Sequence, residues 1–202
     1  VTFYLGDPAS HPYLYNSTWE AKKEVAFFRG RPNTHSRSRL AIPRLALGSP
    51  SRAALLDAAL VWYEPTHDWF VHTGGEPPLG APVKPARWRE HRGYKYLLNL
   101  DGHSYAHRLL RILSTNSVVL KEESLEVEFY YHLLQPFVHY VPFYISVNKD
   151  SYKMADVRTN LTETIQWARA HDAECRAIAT EAQRLVHTHL CDAARRGYVE
   201  QS

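Results

Sequence analysis

The sequence has little of several features that mark specialised classes of protein. It contains two cysteines and one methionine in 202 residues, and Cys175 and Cys191 form neither a disulfide framework nor a zinc-ligand pattern. No apolar run is long enough to span a bilayer, and no segment resembles a signal peptide. The 24 basic and 21 acidic residues nearly cancel, which leaves a net charge of +3. This balance argues against a general nucleic-acid-binding surface, although a local basic site remains compatible with it.

The composition is that of a folded domain. Hydrophobic residues make up 45% and aromatic residues 12% of the chain, which is enough for one substantial core. Because the chain begins at Val1, we expect a mature or truncated piece of a longer protein. The triplets at 16–18 and 160–162 fit the N-glycosylation pattern and favour a secretory route, although such triplets also arise by chance.

Short apolar runs alternate with helix-forming segments along the chain. Strands are predicted at 24–28, 94–100, 117–121 and 138–144. Helices are predicted at 52–60, 103–113, 157–170 and 173–190. A region rich in proline and glycine at 65–92 is predicted as a long loop. The alternation favours an α/β fold with parallel strands and crossover helices.

A polar break interrupts the apolar stretch between residues 95 and 120. Residues 101–104 lie between a predicted strand and a predicted helix. At the carboxyl edge of a parallel sheet, such a turn can bind phosphate through backbone amides, and Arg108 can add a cationic contact. The alternative is an ordinary helix cap, with His107 and Arg108 on a solvated face.

Four segments occur in an order that resembles a known family. They read FFRGRPNTHSRSRL, YKYLLNLDGHSYAHRL, SVVLKEES and EFYYHLLQPFVHYVPF. Together they resemble the Rumi-type protein O-glucosyltransferase family, which also includes capsule-associated xylosyltransferases. The resemblance implies the C-terminal half of a two-domain GT-B glycosyltransferase. It implies a Rossmann-like domain over residues 25–202 that binds a UDP-sugar, and it leaves residues 1–24 unassigned.

The resemblance also implies roles for individual residues. Arg37 matches a basic residue that faces the diphosphate in relatives, so we expect it to stabilise the leaving UDP. The residues implied in binding the UDP-sugar are Arg29, Gly30, Asp101, Gly102, His103, Ser104, Tyr105, Ala106, Arg108 and Glu128. The UDP-sugar is a donor substrate, and we expect neither a cofactor nor a metal ion.

Other polar residues near these segments have a structural interpretation. Arg31 and Arg39 are predicted to lie in a solvated loop. Glu122 and Glu123 are predicted to be either part of a solvated run of charges or carboxylates near the edge of the sheet. His139 is predicted to be structural, because aromatic residues beside prolines commonly shape a core turn.

The resemblance places the general base of the family in an N-terminal domain, upstream of the Phe-Arg-Gly segment. Asp7 and Glu20 are the only acidic residues before Glu24, and neither lies in a recognisable base motif. Two functions therefore stay open. One is a transferase of the secretory lumen, in the endoplasmic reticulum or Golgi, that moves glucose or xylose from UDP to a protein serine or a glycan hydroxyl. The other is a non-catalytic structural or interaction subunit.

Overall fold

A five-stranded parallel sheet forms the centre of the protein. The structure is a computed structural model that describes residues 17–32, 38–61, 82–104, 106–147 and 157–190. The strands of the sheet are β1 (Lys23–Gly30), β2 (Leu56–Leu60), β3 (Tyr94–Asn99), β4 (Val118–Glu122) and β5 (Val141–Phe143). Their order is β2-β1-β3-β4-β5, and each neighbouring pair is parallel. The predicted α/β class is confirmed.

Helices cover both faces of this sheet. Within the described ranges they are α1 (Ser38–Leu47), α2 (Pro50–Ala53), α3 (Trp88–His91), α4 (Leu109–Leu113), α5 (Leu161–Ala170) and α6 (Asp172–Leu185). The last helix continues as a π-helical turn at Val186–Leu190. A small antiparallel pair, β6 (Ile145–Val147) with β7 (Val157–Thr159), lies beyond β5 in the chain. None of the described helices is long and apolar enough to cross a membrane.

The core consists of two apolar layers, one on each face of the sheet. One layer packs Phe28 and Leu98 against α1 and α5. The other packs Phe27 and Leu97 against α4 and the end of α6. Burial on both faces explains why the central strands read as continuous apolar runs. Trp19, in the segment that the sequence left unassigned, is 2% exposed and belongs to the first layer.

The strand order reverses between β1 and β3. From β1 the chain moves to β2 on one side, and it then returns to β3 on the other side. At such a switch point the connections leaving the two strands diverge and open a crevice at the carboxyl edge of the sheet. The connection from β1 begins after Gly30, and the connection from β3 contains residues 100–108. The polar break noted in the sequence therefore lies at this crevice.

One predicted helix is largely a strand. The segment 52–60 was predicted to be helical, but α2 ends at Ala53 and the chain continues as β2. The Ser49 hydroxyl caps α2, since it accepts a hydrogen bond from the Arg52 amide at 3.3 Å. The Ala and Leu residues of β2 have helix propensity, but pairing with β1 overrides that local preference.

Two other helices begin later than predicted. The helix expected at 103–113 is confined to α4, and Arg108 occupies its N-cap position. The Gly102 amide instead donates to the Ser104 carbonyl at 2.8 Å and closes a turn. The alternative reading, in which Asp101 or Ser104 caps the helix, is therefore wrong. The helix expected at 157–170 begins at Leu161, because residues 157–159 pair with β6.

Candidate functional site

Arg108 is the central charged side chain of the crevice between β1 and β3. Its Nη1 donates to the Arg29 carbonyl at 2.6 Å, and its guanidinium lies 4.9 Å from the centre of the Phe28 ring. Burial, together with the nearby charge of Arg39, lowers the pKa of Arg108 to about 10. The guanidinium therefore stays charged at neutral pH and holds positive charge at the end of β1.

Gly30 leaves the space that the Arg108 side chain occupies. A Cβ atom at Gly30 would lie 2.5 Å from Cζ of Phe28 and 3.1 Å from Nη2 of Arg108. Both distances are too short for close-packed atoms, so a side chain here would displace the ring or the guanidinium. The glycine of the Phe-Arg-Gly segment is thus required by packing at the site.

Arg39 lies on the other side of the crevice, and the prediction that it belongs to a solvated loop is wrong. It is half-buried in the first turn of α1. Its Nε donates to the Asp101 carbonyl at 2.5 Å and its Nη2 to the Leu100 carbonyl at 3.1 Å. Burial lowers the pKa of Arg39, and the charges of Asp101 and Glu122 oppose that shift. The guanidinium joins the start of α1 to the turn after β3. Arg31 is exposed, as predicted.

Glu122 is a buried carboxylate at the end of β4, so the solvated interpretation of this residue is wrong. It is 9% exposed, and its Oε2 accepts hydrogen bonds from the Ser38 hydroxyl at 2.9 Å and the Asp101 amide at 3.0 Å. Burial raises the pKa of Glu122, although both hydrogen bonds oppose the shift. The neighbouring Glu123 is exposed, in agreement with the solvated interpretation.

The Arg29 side chain points away from this crevice. Its Nη2 forms an ion pair with Asp57 Oδ1 at 2.6 Å, and its Nη1 donates to the Phe28 and Asp57 carbonyls. Its guanidinium is stacked 4.5 Å from the centre of the Phe27 ring. Arg29 therefore contributes its backbone carbonyl to the site, whereas its side chain ties β1 to β2.

The other residues that the family resemblance assigned to UDP-sugar binding differ in how exposed they are. Gly102 is half-buried, His103 and Ser104 are exposed, and Ala106 is buried. Glu128 is half-buried after β4, where its Oε1 accepts from the Tyr130 hydroxyl at 3.2 Å. Burial raises the pKa of Glu128. Arg37 and Tyr105 lie outside the described residues.

His139 has the structural role that was predicted. It is 7% exposed, and its Nδ1 accepts a hydrogen bond from the Gln135 amide at 3.0 Å. Burial lowers the pKa of His139, which favours the neutral ring. This contact closes the turn before β5 and leaves the residue outside the crevice.

Two guanidinium groups thus lie at one crevice without a salt bridge to any described residue. In the part of the chain that the structure describes, neither Arg39 nor Arg108 belongs to an ion pair. Their mutual repulsion contributes to the lowered pKa of Arg108. Half-buried positive charges in this state favour binding of an anion that can accept several hydrogen bonds, and phosphate groups have that chemistry.

Several protein O-glucosyltransferases align with most of this chain. Protein O-glucosyltransferase 2 of Danio rerio is 36% identical over 172 residues, which cover 85% of this chain and 30% of that protein. Protein O-glucosyltransferase 3 of Homo sapiens is 32% identical over 173 residues, with coverages of 86% and 30%. The O-glucosyltransferase rumi homolog of Aedes aegypti is 31% identical over 173 residues, with coverages of 85% and 38%. The chain spans about a third of the length of these relatives.

Solved structures share the fold at low sequence identity. The C-terminal domain of a glycosyl transferase group 1 family protein, LpcC of Francisella tularensis, has a TM-score of 0.57 and 9% identity, over 90% of this chain and 97% of that one. Anabaena HepE in complex with UDP-glucose has a TM-score of 0.56 and 11% identity, over 97% of this chain and 53% of that one. These likenesses confirm the predicted GT-B type of Rossmann-like fold.

The resemblance first read from four short segments extends over nearly the whole chain. The family described as Glycosyl transferase family 90 matches residues 14–199. That range contains β1, β3, β4 and the turn that carries Arg108. The chain therefore belongs to glycosyl transferase family 90.

Proposed function

We propose that this chain is the donor-binding part of a glycosyltransferase and that it binds the diphosphate of a UDP-sugar in the β1–β3 crevice. The observation that carries the proposal is the pair of guanidinium groups of Arg39 and Arg108, which lack an ion-pair partner among the described residues. Their position at the switch point is where α/β sheets of this order bind ligands. The family membership gives the site its reaction class.

The relatives suggest which donor to test first. They are named O-glucosyltransferases, and a structure of similar fold holds UDP-glucose. UDP-glucose is therefore the first donor in our proposal, and UDP-xylose is the second. A protein serine or a glycan hydroxyl is the proposed acceptor, and the secretory lumen is the proposed location.

The cationic crevice suits the departure of UDP. Negative charge grows on the diphosphate as its bond to the donor sugar breaks, and donors already held in place stabilise that charge. Arg108 is held by the Arg29 carbonyl and the Phe28 ring, so little rearrangement is needed. Arg37 stays a prediction from the family resemblance, as the residue that faces the leaving group. We assign no general base within this chain.

A non-catalytic subunit is less well supported. A scaffold has no need for two half-buried guanidinium groups that form no ion pair with the described residues, since such charges reduce stability when no ligand is bound. The arrangement of Arg39 and Arg108 thus favours a binding function.

A matched pair of arginine variants tests the proposal. We expect the wild-type chain to bind UDP in calorimetry and Arg108→Met to weaken that binding about tenfold to a hundredfold, because a charge-assisted hydrogen bond is lost. Arg111→Met is the control, since Arg111 lies in the same helix and stacks 4.6 Å from the Trp88 ring. We expect it to bind UDP normally. Absence of UDP binding by the wild-type chain, or equal losses in both variants, would refute the site.

A further inference from the structure

Asp101 carries a buried carboxylate that is poorly supplied with hydrogen-bond donors among the described residues. The residue is 6% exposed, and both Oδ atoms are buried without a hydrogen bond of normal geometry. Burial raises the pKa of Asp101, although the nearby Ser124 hydroxyl and the Lys121 charge act in the opposite direction. A carboxylate in this state has lost its water and gained only a weak contact with the Ser124 hydroxyl in return, which destabilises the unliganded protein.

The backbone holds this carboxylate in place from two sides. The Asp101 amide donates to Glu122 at 3.0 Å, and the Asp101 carbonyl accepts from Arg39 at 2.5 Å. Both partners belong to other elements, β4 and α1, so the backbone of Asp101 is anchored at the edge of the crevice. A fixed acceptor without a partner, at the edge of a ligand crevice, has the features of a recognition group.

The groups around Asp101 make a polar setting with both donors and acceptors. Asn99 is fully buried, and its amide nitrogen and oxygen form no hydrogen bond with the described residues. It is paired in register with Lys121 on β4, whose ammonium lies 5.0 Å from the centre of the Tyr131 ring. Hydroxyl groups both donate and accept hydrogen bonds, so they match this combination.

A phosphate group does not match Asp101. Both groups are negative and accept hydrogen bonds, so they repel each other. The diphosphate therefore fits at Arg39 and Arg108, and Asp101 requires a different part of the ligand. A carboxylate can accept from two adjacent hydroxyls at once, and UDP-glucose has such pairs on its ribose and on its glucose.

We propose that Asp101 accepts hydrogen bonds from adjacent hydroxyl groups of the nucleotide-sugar, and that it recognises the sugar instead of the phosphate. This inference rests on the proposed function, and it changes the role that the sequence implied for Asp101 in the phosphate turn. It also explains why a buried carboxylate with so few donors among the described residues is kept near Lys121 and Arg39, since the ligand supplies further donors.

Calorimetry on the 202-residue chain tests the inference with three proteins and four probes. The proteins are wild type, Asp101→Asn and Glu126→Gln. Glu126→Gln is the control, because Glu126 is an exposed neighbour whose negative charge raises the pKa of Asp101. The probes are UDP-glucose, UDP, 2′-deoxy-UDP and inorganic pyrophosphate. We expect Asp101→Asn to weaken UDP-glucose binding about tenfold to a hundredfold. Pyrophosphate binding should be unchanged, and Glu126→Gln should match wild type.

The probes distinguish the two possible diols. If the ribose is recognised, Asp101→Asn weakens UDP and UDP-glucose alike, and wild type binds 2′-deoxy-UDP less tightly than UDP. If the glucose is recognised, only UDP-glucose is affected.

Equal binding of every probe by wild type and Asp101→Asn overturns the inference and leaves the proposed function intact. An equal loss of pyrophosphate binding also overturns it. Failure of wild type to bind UDP at all overturns the proposed function and this inference with it.

Thermal unfolding gives a second and independent readout. Removing an unpaired buried charge should raise the midpoint of the unliganded Asp101→Asn chain by about 2–4 °C. A purely structural role for the carboxylate predicts a lower midpoint instead. A raised midpoint together with weaker UDP-glucose binding supports recognition of hydroxyl groups, and a lowered midpoint with unchanged binding overturns it.

Discussion

Gly30 determines where the Arg108 guanidinium can lie, because its missing side chain is the space between the Phe28 ring and Nη2 of Arg108. A single methyl group at this position would meet a buried ring on one side and a half-buried charge on the other. The Arg108 contact with the Arg29 carbonyl depends on the same space. Gly30 therefore controls where the Arg108 guanidinium lies in the crevice.

We expect Gly30→Ala to lower the free energy of unfolding by about 1–3 kcal/mol, because it overpacks the core. UDP affinity should fall as well, because Arg108 must shift. Gly48→Ala is the matched control, since its Cβ would lie 3.3 Å from the Nη1 atom of Arg52, in an exposed side chain that can move. Urea unfolding and UDP titration of both variants make the comparison. Equal effects in the two variants would show that Gly30 has no special role.

Among the secondary-structure elements, α6 is joined to the amino-terminal ends of β1 and β3 by one ionic cluster. Lys95 Nζ lies 2.8 Å from Glu24 and 2.6 Å from Asp172, and the Trp19 indole donates to both Asp172 oxygens. Burial by itself would lower the pKa of Lys95 and raise the pKa of Asp172. The hydrogen bonds outweigh it, so the pKa of Lys95 is raised and the pKa of Asp172 is lowered. The cluster lies at the edge of the sheet opposite the crevice.

Asp172→Ala should destabilise the chain by about 1–2 kcal/mol at neutral pH, because Lys95 and Trp19 lose an acceptor that is itself half-exposed. The control is Arg176→Ala, which breaks an exposed pair with Glu20 and should cost less than about 1 kcal/mol. The native pKa of Asp172 is lowered, so its contribution is present above the ordinary aspartate range and is lost as the pH falls through the native pKa. Thermal midpoints should therefore converge in acid. A constant difference at every pH would contradict this account.

Under the proposed function, the whole chain is a donor-binding unit whose candidate site lies at one edge of the sheet. UDP bound there should stabilise the fold, because a ligand that binds only the native state adds about 2.7 kcal/mol at a hundredfold excess over its Kd. For a chain of this size, that corresponds to a rise of roughly 5–10 °C in the thermal midpoint.

We expect the 202-residue chain to bind UDP but to transfer little or no glucose to an acceptor. The family resemblance places the general base upstream of the Phe-Arg-Gly segment, and no recognisable base motif precedes Glu24. Thermal shift with UDP measures binding, and release of UDP from UDP-glucose with and without acceptor measures turnover. Rapid transfer by this chain alone would show that a base lies within residues 1–202.

The sequence by itself determined the α/β class and the place of the candidate site. Strands buried on both faces need continuous apolar runs, and these were visible at β1, β3 and β4. The turn after β3 was visible for the opposite reason, because its polar residues at 101–104 interrupt the apolar pattern. These signals are local, so each could be read from a few neighbouring letters.

Only the tertiary structure decided which charges belong to the site. Arg39 contacts Asp101 across 62 positions of sequence, and Ser38 contacts Glu122 across 84. Nothing near either contact in the sequence distinguishes a buried partner from a solvated one. The same holds for β2, whose helix-forming residues become a strand through pairing with β1. Burial and partner choice depend on contacts between distant segments, and local patterns carry no information about those contacts.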